Sequence, residues 1–398
     1  MTRSFLIIAG ETSGDKHAAR LVESLKKRED VRVIGIGGDR MKAAGVELIH
    51  HVKEMSVMGF SEVVSKLPFF RRVRRDLLRT IHDEEPSAVI LVDYPGFNLR
   101  FAESAKKKGL KVIYFISPQV WAWGKTRMKK IRRTVDLMLT IFKFEEEMYK
   151  KENVDAHFVG HPLLDEMKTP SEMEIDRFRE KFVARSANGK GQSTLDMEAL
   201  TGKKQNKIIA LLPGSRLQEI NRILPTMLES VKIVKGELAD DGTKLQPIVG
   251  CAPGIEERVY HEIVSDIGIE VHLTREVELL MSSANAGMVA SGTATLEAAL
   301  HNLPIVVVYK TSFLTYSIGK LLVNLSSISL VNIVAQRKIV HELVQNDFEP
   351  RKAASIVKEI LMNSQVSDEI RHQYAELRKS LGGPGASDRA AELILGAV

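Results

Sequence analysis

Short, uniformly apolar runs that stop at a glycine or proline turn and hand over to an amphipathic helix recur along most of this chain. FLIIAG (5–10), VRVIGIGG (31–38), AVILVDYPG (88–96), KVIYFISP (111–118), DLMLTIF (136–142) and AHFVGHP (156–162) form one series. KIIALLPGSR (207–216), LQPIVGCAPG (245–254), IEVHLT (269–274), AGMVASGTATLEAAL (286–300) and LPIVVVYK (303–310) form a second. A strand that is apolar at every position must be covered on both faces, which describes a parallel sheet between layers of helices. The fold expected is therefore α/β, with two Rossmann-like, doubly wound parallel-sheet domains. Ligands in such sheets bind beyond the carboxyl ends of the strands.

The 398 residues suit two such domains. The boundaries read from the pattern are an N-terminal domain over 1–168, a linker or insertion over 169–206, a second domain over 207–349, and C-terminal helices over 350–398 packing back toward the N-terminal domain. The lone cysteine, Cys251, excludes a disulfide framework and a multi-cysteine zinc site and fits a reducing cytoplasm. The first apolar run is too short for a signal-peptide core, and no run approaches the ~18 residues of a membrane span. A soluble protein, or one seated on a membrane surface, is expected. Charge is uneven: residues 1–150 carry 29 Lys and Arg against 19 Asp and Glu, whereas the whole chain is only +6. Such asymmetry suits an anionic partner on the N-terminal side.

Several strand ends carry chemistry. In GETSGDKHA (10–18), Gly10 and Gly14 allow close backbone approach, and Glu11, Thr12, Ser13 and Asp15 stand at a helix start able to attract hydroxyls or anions. DYPGFN (93–98) puts Asp93 directly after a buried strand, where a carboxylate needs hydrogen bonds or a task. SPQVWAWGKTRMKKIRR (117–133) carries both tryptophans, Trp121 and Trp123, near Gln119 and ahead of a basic helix. Read functionally, it is an aromatic platform for a sugar beside cations; read structurally, a core anchor and a solvated helix. Single-stranded nucleic acid also likes interleaved aromatics and cations, but no nucleic-acid module is recognisable and none is expected as partner. In KLPFFRRVRRDLLRTIH (66–82), Phe70, Val73, Leu77 and Ile81 share a helix face. That leaves Leu67 and Phe69 beside Arg71, Arg72, Arg74 and Arg75 as an interfacial lip for an anionic membrane.

In the second series, Gly214, Ser215 and Arg216 form one strand–helix loop. Ser291, Gly292, Thr293 and Thr295 open another helix, with Glu297 one turn inside. Two helix N-termini and a guanidinium can cradle a diphosphate, and Glu297 can accept from a ribose diol. No complete GxGxxG with a following acid supports a dinucleotide oxidoreductase.

GETSGD, GIGG with Met41, MGFSEV (58–63), PGFN, ISPQVWAW, VGHPLLD (159–165), LLPGSR, and SGTATLEAAL with Tyr309 and Lys310 occur in one order between about residues 5 and 345. Together they closely resemble the lipid-A-disaccharide synthases, inverting glycosyltransferases of GT-B fold with a cleft between their domains. The resemblance implies transfer of 2,3-diacylglucosamine from UDP to the 6-hydroxyl of 2,3-diacylglucosamine 1-phosphate, forming a β(1→6) disaccharide 1-phosphate and UDP. It implies no cofactor and no metal, the UDP-sugar being a substrate, and peripheral attachment to the cytoplasmic face of the inner membrane; a homodimer is compatible with it. Arg216, Glu297 and Asn332, with Gln345 nearby, match the donor side. GETSGD, Asp93, Asn98 and the tryptophan loop match the acceptor side. Asp93 is the first choice of catalytic base and Asp15 the second, because some relatives carry an acid where this chain has Gly96. Lys143 stands for a proline, and Val331 and Gln336 for the proline and glycine of a Leu-Pro-Asn-Leu-Leu-Ala-Gly loop. The alternatives are another GT-B UDP-N-acetylglucosamine transferase or epimerase, or a non-catalytic nucleotide-sugar or RNA-binding protein.

Overall fold

The structure, a computed structural model, describes residues 3–55, 67–121, 125–185, 206–239, 242–311 and 327–398. The chain forms two compact units, Met1–Glu166 with Leu381–Val398, and Met167–Ser380.

The first unit holds a seven-stranded sheet of β1 (Arg3–Ala9), β2 (Val31–Gly37), β3 (Glu47–His51), β4 (Ala88–Val92), β5 (Lys111–Phe115), β6 (Leu137–Thr140) and β7 (Ala156–Phe158). Their order is 3-2-1-4-5-6-7, and every neighbouring pair is parallel. Phe5, Ile7 and Ala9 of β1 enter one core with the helix Thr12–Arg28, while Leu6 and Ile8 enter the opposite core with the helices Leu67–Glu84 and Pro95–Lys107. Two cores for one strand is the physical reason for its unbroken apolar run.

The second unit repeats the plan with β8 (Asn206–Leu212), β9 (Lys244–Gly250), β10 (His272–Thr274), β11 (Ala286–Ala290), β12 (Ile305–Tyr309) and β13 (His341–Val344), in the parallel order 10-9-8-11-12-13. Both sheets reverse their direction of growth beside their first strand, at β1/β4 and at β8/β11. A doubly wound sheet opens its ligand crevice at this switch point. The sequence pattern did not reveal β3 or β13. Both are edge strands of half-polar sequence, ELIHH and HELV, which need less apolar surface than central ones.

Two expected boundaries change. Within 169–206, the helix Glu172–Arg185 is part of the second unit: Phe182 packs on the His272 ring at 5.2 Å, and Arg179 donates to the Ser283 carbonyl at 3.2 Å. Residues 186–205 lie outside the described part. Of the C-terminal helices, only Ala386–Ala397 joins the first unit, through Ala390, Ala391 and Ile394 in the core under Thr12–Arg28. Pro350–Met362 instead packs on the helix Leu217–Ala239, and Ser364–Ser380 packs on Thr293–Leu300 and Leu330–Ala335. The VGHPLLD segment docks the last helix. Asp165 accepts from the Gly385 and Ala386 amides, and Arg389 donates to the Val159 carbonyl at 2.8 Å.

Candidate active site

At the first switch point Gly10 directly follows β1 and Asp93 directly follows β4. A side chain at Gly10 would collide with the Tyr94 ring, whose atoms lie 2.2–2.6 Å from where its Cβ would stand. The glycine therefore serves this approach of Tyr94. Asp93 and Tyr94 have φ of 47° and 48°. Two successive non-glycine residues in the left-handed region cost roughly 1–2 kcal/mol each and persist only where the surroundings impose them. Here the bracing is visible. Asn98 Nδ2 donates to the Asp93 carbonyl at 2.7 Å and the Tyr114 hydroxyl donates to it at 2.6 Å. The Asp93 carboxyl is half-buried, and burial pushes its pKa above the usual carboxylate range.

Other expected residues are placed differently. Asp15 is almost wholly buried, and its carboxylate accepts from the amides of Gly38 (2.6 Å), Arg40 (3.2 Å) and Met41 (3.1 Å). It caps the helix Asp39–Ala43, and its oxygens are taken up by these amides rather than offered to a substrate. Asn98 is fully buried and braces the Asp93 turn, so it does not meet an acceptor directly. Glu11 and Ser13 are exposed at the start of Thr12–Arg28, and Gly14 is buried beneath them. Gln119 is exposed beyond β5, the neighbour of β4. Trp121 does not present a free ring: its indole N–H donates to buried Glu145 at 3.0 Å, and its edge meets Phe144 at 5.8 Å. Trp123 and residues 58–63 lie outside the described residues.

A charged cluster not anticipated from the sequence lies at the same end of this sheet. Glu166 pairs with Lys16 and lies 3.2 Å from His17 Nδ1. Burial would raise its pKa, but His17 and Lys16 hold it at about 2. The His17 charge also favours ionised Asp93. Burial, then repulsion from His17, lowers His161 to about 4. His17 directly follows GETSGDK and His161 stands in VGHPLLD, so proximity to known strings was the available signal.

The helix Leu67–Glu84 differs in part from the lip expected of it. Phe69 and Phe70 are half-buried in an aromatic ladder: Phe69 meets His50 at 6.0 Å and Phe70 meets Phe97 at 6.0 Å, and Phe97 stacks on Phe101. Phe69 is thus held by the core rather than offered freely, as its partial burial against these rings requires. Arg71, Arg72, Arg74 and Arg75 are all exposed, and Arg74 also donates to Ser104 Oγ at 3.1 Å. The Leu67 side chain is outside the described residues.

At the second switch point, Gly214 (φ 115°) turns the chain from β8 into the helix Leu217–Ala239, a conformation that favours glycine. Ser215 and Arg216 are exposed; the Arg216 guanidinium lies 3.8 Å from Glu219, which also accepts from the Ser215 amide. After β11, Gly292 and Thr293 are exposed, Ser291 Oγ donates to the Ile328 carbonyl, and buried Thr295 donates back to Gly292. Glu297 is half-buried. Asn332 and Gln345 are braces, not open donors. Asn332 is buried, donates to Val340 O and Glu342, and accepts from the Ile339 and Val340 amides. Gln345 exchanges two hydrogen bonds with the Thr311 backbone. Glu342, which the sequence did not single out, ties Ile328, Ser329 and Asn332 together. An anion could therefore meet Arg216, the loop amides and the helix start at Thr293.

The family model described as lipid-A-disaccharide synthetase matches residues 5–397. The chain is 40% identical over 393 residues to a lipid-A-disaccharide synthase of Syntrophus aciditrophicus, covering 98% of this chain and 96% of that protein. It is 37% identical over 392 residues to one of Myxococcus xanthus, with the same coverage. Among solved structures, the calicheamicin glycosyltransferase CalG4 superposes with a TM-score of 0.58 at 15% identity, over 100% of this chain and 99% of that one. HepE of Anabaena, solved with UDP and glucose, gives 0.56 at 9%, over 100% of both chains. At such identities the structures speak for the fold alone, the GT-B class of two Rossmann-like units.

Proposed function

The chain belongs to the lipid-A-disaccharide synthetase family, and from that premise we propose that it moves 2,3-diacylglucosamine from UDP to the 6-hydroxyl of 2,3-diacylglucosamine 1-phosphate. It is a glycosyltransferase of lipid A disaccharide synthesis. The observation that carries the finer reading is the pairing of sites with chemistry: a half-buried carboxyl on a strained turn at one switch point, and an exposed arginine with helix amides at the other.

Asp93 takes the proton of the attacking 6-hydroxyl while that oxygen bonds to the anomeric carbon from the face opposite the diphosphate. The bond from that carbon to the diphosphate oxygen breaks, and UDP leaves with the electron pair. The growing charge falls on Arg216, the Ser215 amide and the helix start at Thr293, the first two turning from the Glu219 carboxylate, which they face in this structure, to the diphosphate. Glu297 would accept from the ribose diol. HepE carries UDP in its own structure, which supports a uridine nucleotide on this fold. Because the charge is met by protein groups, the reaction should need no metal. Among the described residues no helix is long and apolar enough to cross a membrane. Attachment to the cytoplasmic face of the inner membrane would rest on the exposed arginines of Leu67–Glu84.

The test is to give the protein both diacyl sugars with EDTA present and follow UDP and disaccharide by mass spectrometry. Both products should appear in equal amounts and chelation should not slow them. UDP binding with no disaccharide would refute the reading.

A further inference from the structure

Among the described residues no Asp or Glu is more buried than Glu145, at 1% exposure. A carboxyl so placed is unfavourable without partners. Its partner is the Trp121 indole N–H, 3.0 Å from Oε1, and one turn along the same helix, Lys143–Lys151, the Tyr149 hydroxyl donates to the Pro118 carbonyl at 2.8 Å. The helix thus grips the segment beyond β5 at residues 118 and 121. Between these points Val120 is buried and Gln119 is exposed. Phe144 closes on the Trp121 edge and stacks on Phe142 at 5.6 Å, so the ring has little freedom.

We infer that Glu145 is a positioning residue for the acceptor, holding the segment 117–121 through Trp121 so that Gln119 meets the phosphosugar in one orientation. The inference rests on the proposed transfer reaction and on reading the tryptophan loop as its acceptor side, which the family resemblance implies. The groups facing the carboxyl are the Trp121 indole, the Ser117 hydroxyl, the Ile141 and Phe142 backbone and, on its own helix, Tyr149. None is a cation. Burial pushes the carboxyl to about 7. Either protonation state accepts from the indole, but only the ionised state is penalised by burial, so the grip changes strength near neutrality.

Trp121 and Trp123 are the only tryptophans of the chain, so tryptophan emission reports on this stretch. Wild-type emission should titrate with a midpoint near 7, and Glu145→Gln, which keeps an acceptor but cannot ionise, should keep wild-type emission without the titration. Glu145→Ala should shift emission to the red and raise acrylamide quenching. With donor saturating, it should raise the acceptor KM by about tenfold or more. Its donor KM should stay within about twofold, and Glu145→Gln should keep the wild-type acceptor KM, because its amide oxygen still accepts from the indole. The inference is overturned if folded Glu145→Ala keeps wild-type emission and acceptor KM, if its donor KM rises equally, or if Glu145→Gln is as impaired. Should Glu145→Ala not fold, Trp121→Phe decides, because it removes the indole N–H that Glu145 accepts and keeps a ring; a wild-type acceptor KM in it overturns the inference. A wild type that forms no disaccharide defeats the functional reading instead; the emission measurements need no substrate and stand apart from it.

Discussion

Asp93 shows how one carboxyl is set apart from others of similar sequence surroundings. Asp15 and Asp93 both sit near a glycine just beyond a buried strand. Asp15 is saturated by three amides. Asp93 spends its backbone carbonyl on Asn98 and Tyr114 and keeps a half-buried carboxyl whose proton is held more tightly because of burial. A base must be deprotonated to act, so kcat should fall as pH drops through this raised pKa, at a higher pH than an exposed aspartate would set. Asp93→Asn should lower kcat by about 10²–10⁴-fold and leave the donor KM nearly unchanged. A pH-rate profile of wild type and variant checks both, and wild-type turnover in Asp93→Asn would remove it as the base. The same distinction explains Asn98, Asn332 and Gln345. The strings in which they stand drew attention to these positions, but an amide side chain looks the same in sequence whether it faces a sugar or a backbone. Burial and partners separate the cases.

The elements absorb departures that the sequence alone left open. Lys143 is the exposed first residue of its helix, a position that proline favours but does not require. Gln336 ends the helix Leu330–Ala335 in the left-handed conformation (φ 57°, ψ 18°), which glycine adopts without strain. The turn geometry survives, held by Ser329 at the other end of the helix and by the Asn332 and Glu342 hydrogen bonds, but the residue in it is strained. Gln336→Gly should therefore stabilise the protein by about 1 kcal/mol and raise the melting temperature without changing activity. A lower melting temperature, measured by calorimetry, would contradict the strain. The central strands were readable because each faces two cores; the edge strands β3 and β13 were not, because one row of neighbours is missing and polar residues are tolerated there.

For the whole molecule, the positive excess of residues 1–150 comes to the surface in part on Leu67–Glu84, where Arg71, Arg72 and Arg75 are exposed while Phe69 and Phe70 belong to the aromatic ladder. Binding to an anionic bilayer should therefore be electrostatic first. Replacing these three arginines with serine should weaken co-sedimentation with anionic vesicles by on the order of a hundredfold, at about 1 kcal/mol per arginine, with no effect on neutral vesicles. Added salt should weaken the wild type likewise, and unchanged co-sedimentation would exclude this face. Phe69→Ser should instead lower stability, because it breaks the ladder. The α/β class, the two Rossmann-like units and the turns at their strand ends follow from the amino-acid sequence, because double-sided burial and strand-end turns impose a local pattern on each central segment. The tertiary structure decided which unit receives the helices Glu172–Arg185 and Pro350–Ser380, and that Asp15, Asn98 and Asn332 are braces. It also decided that Glu145 grips Trp121. These outcomes depend on contacts between residues far apart in the chain, whose distances no local pattern encodes.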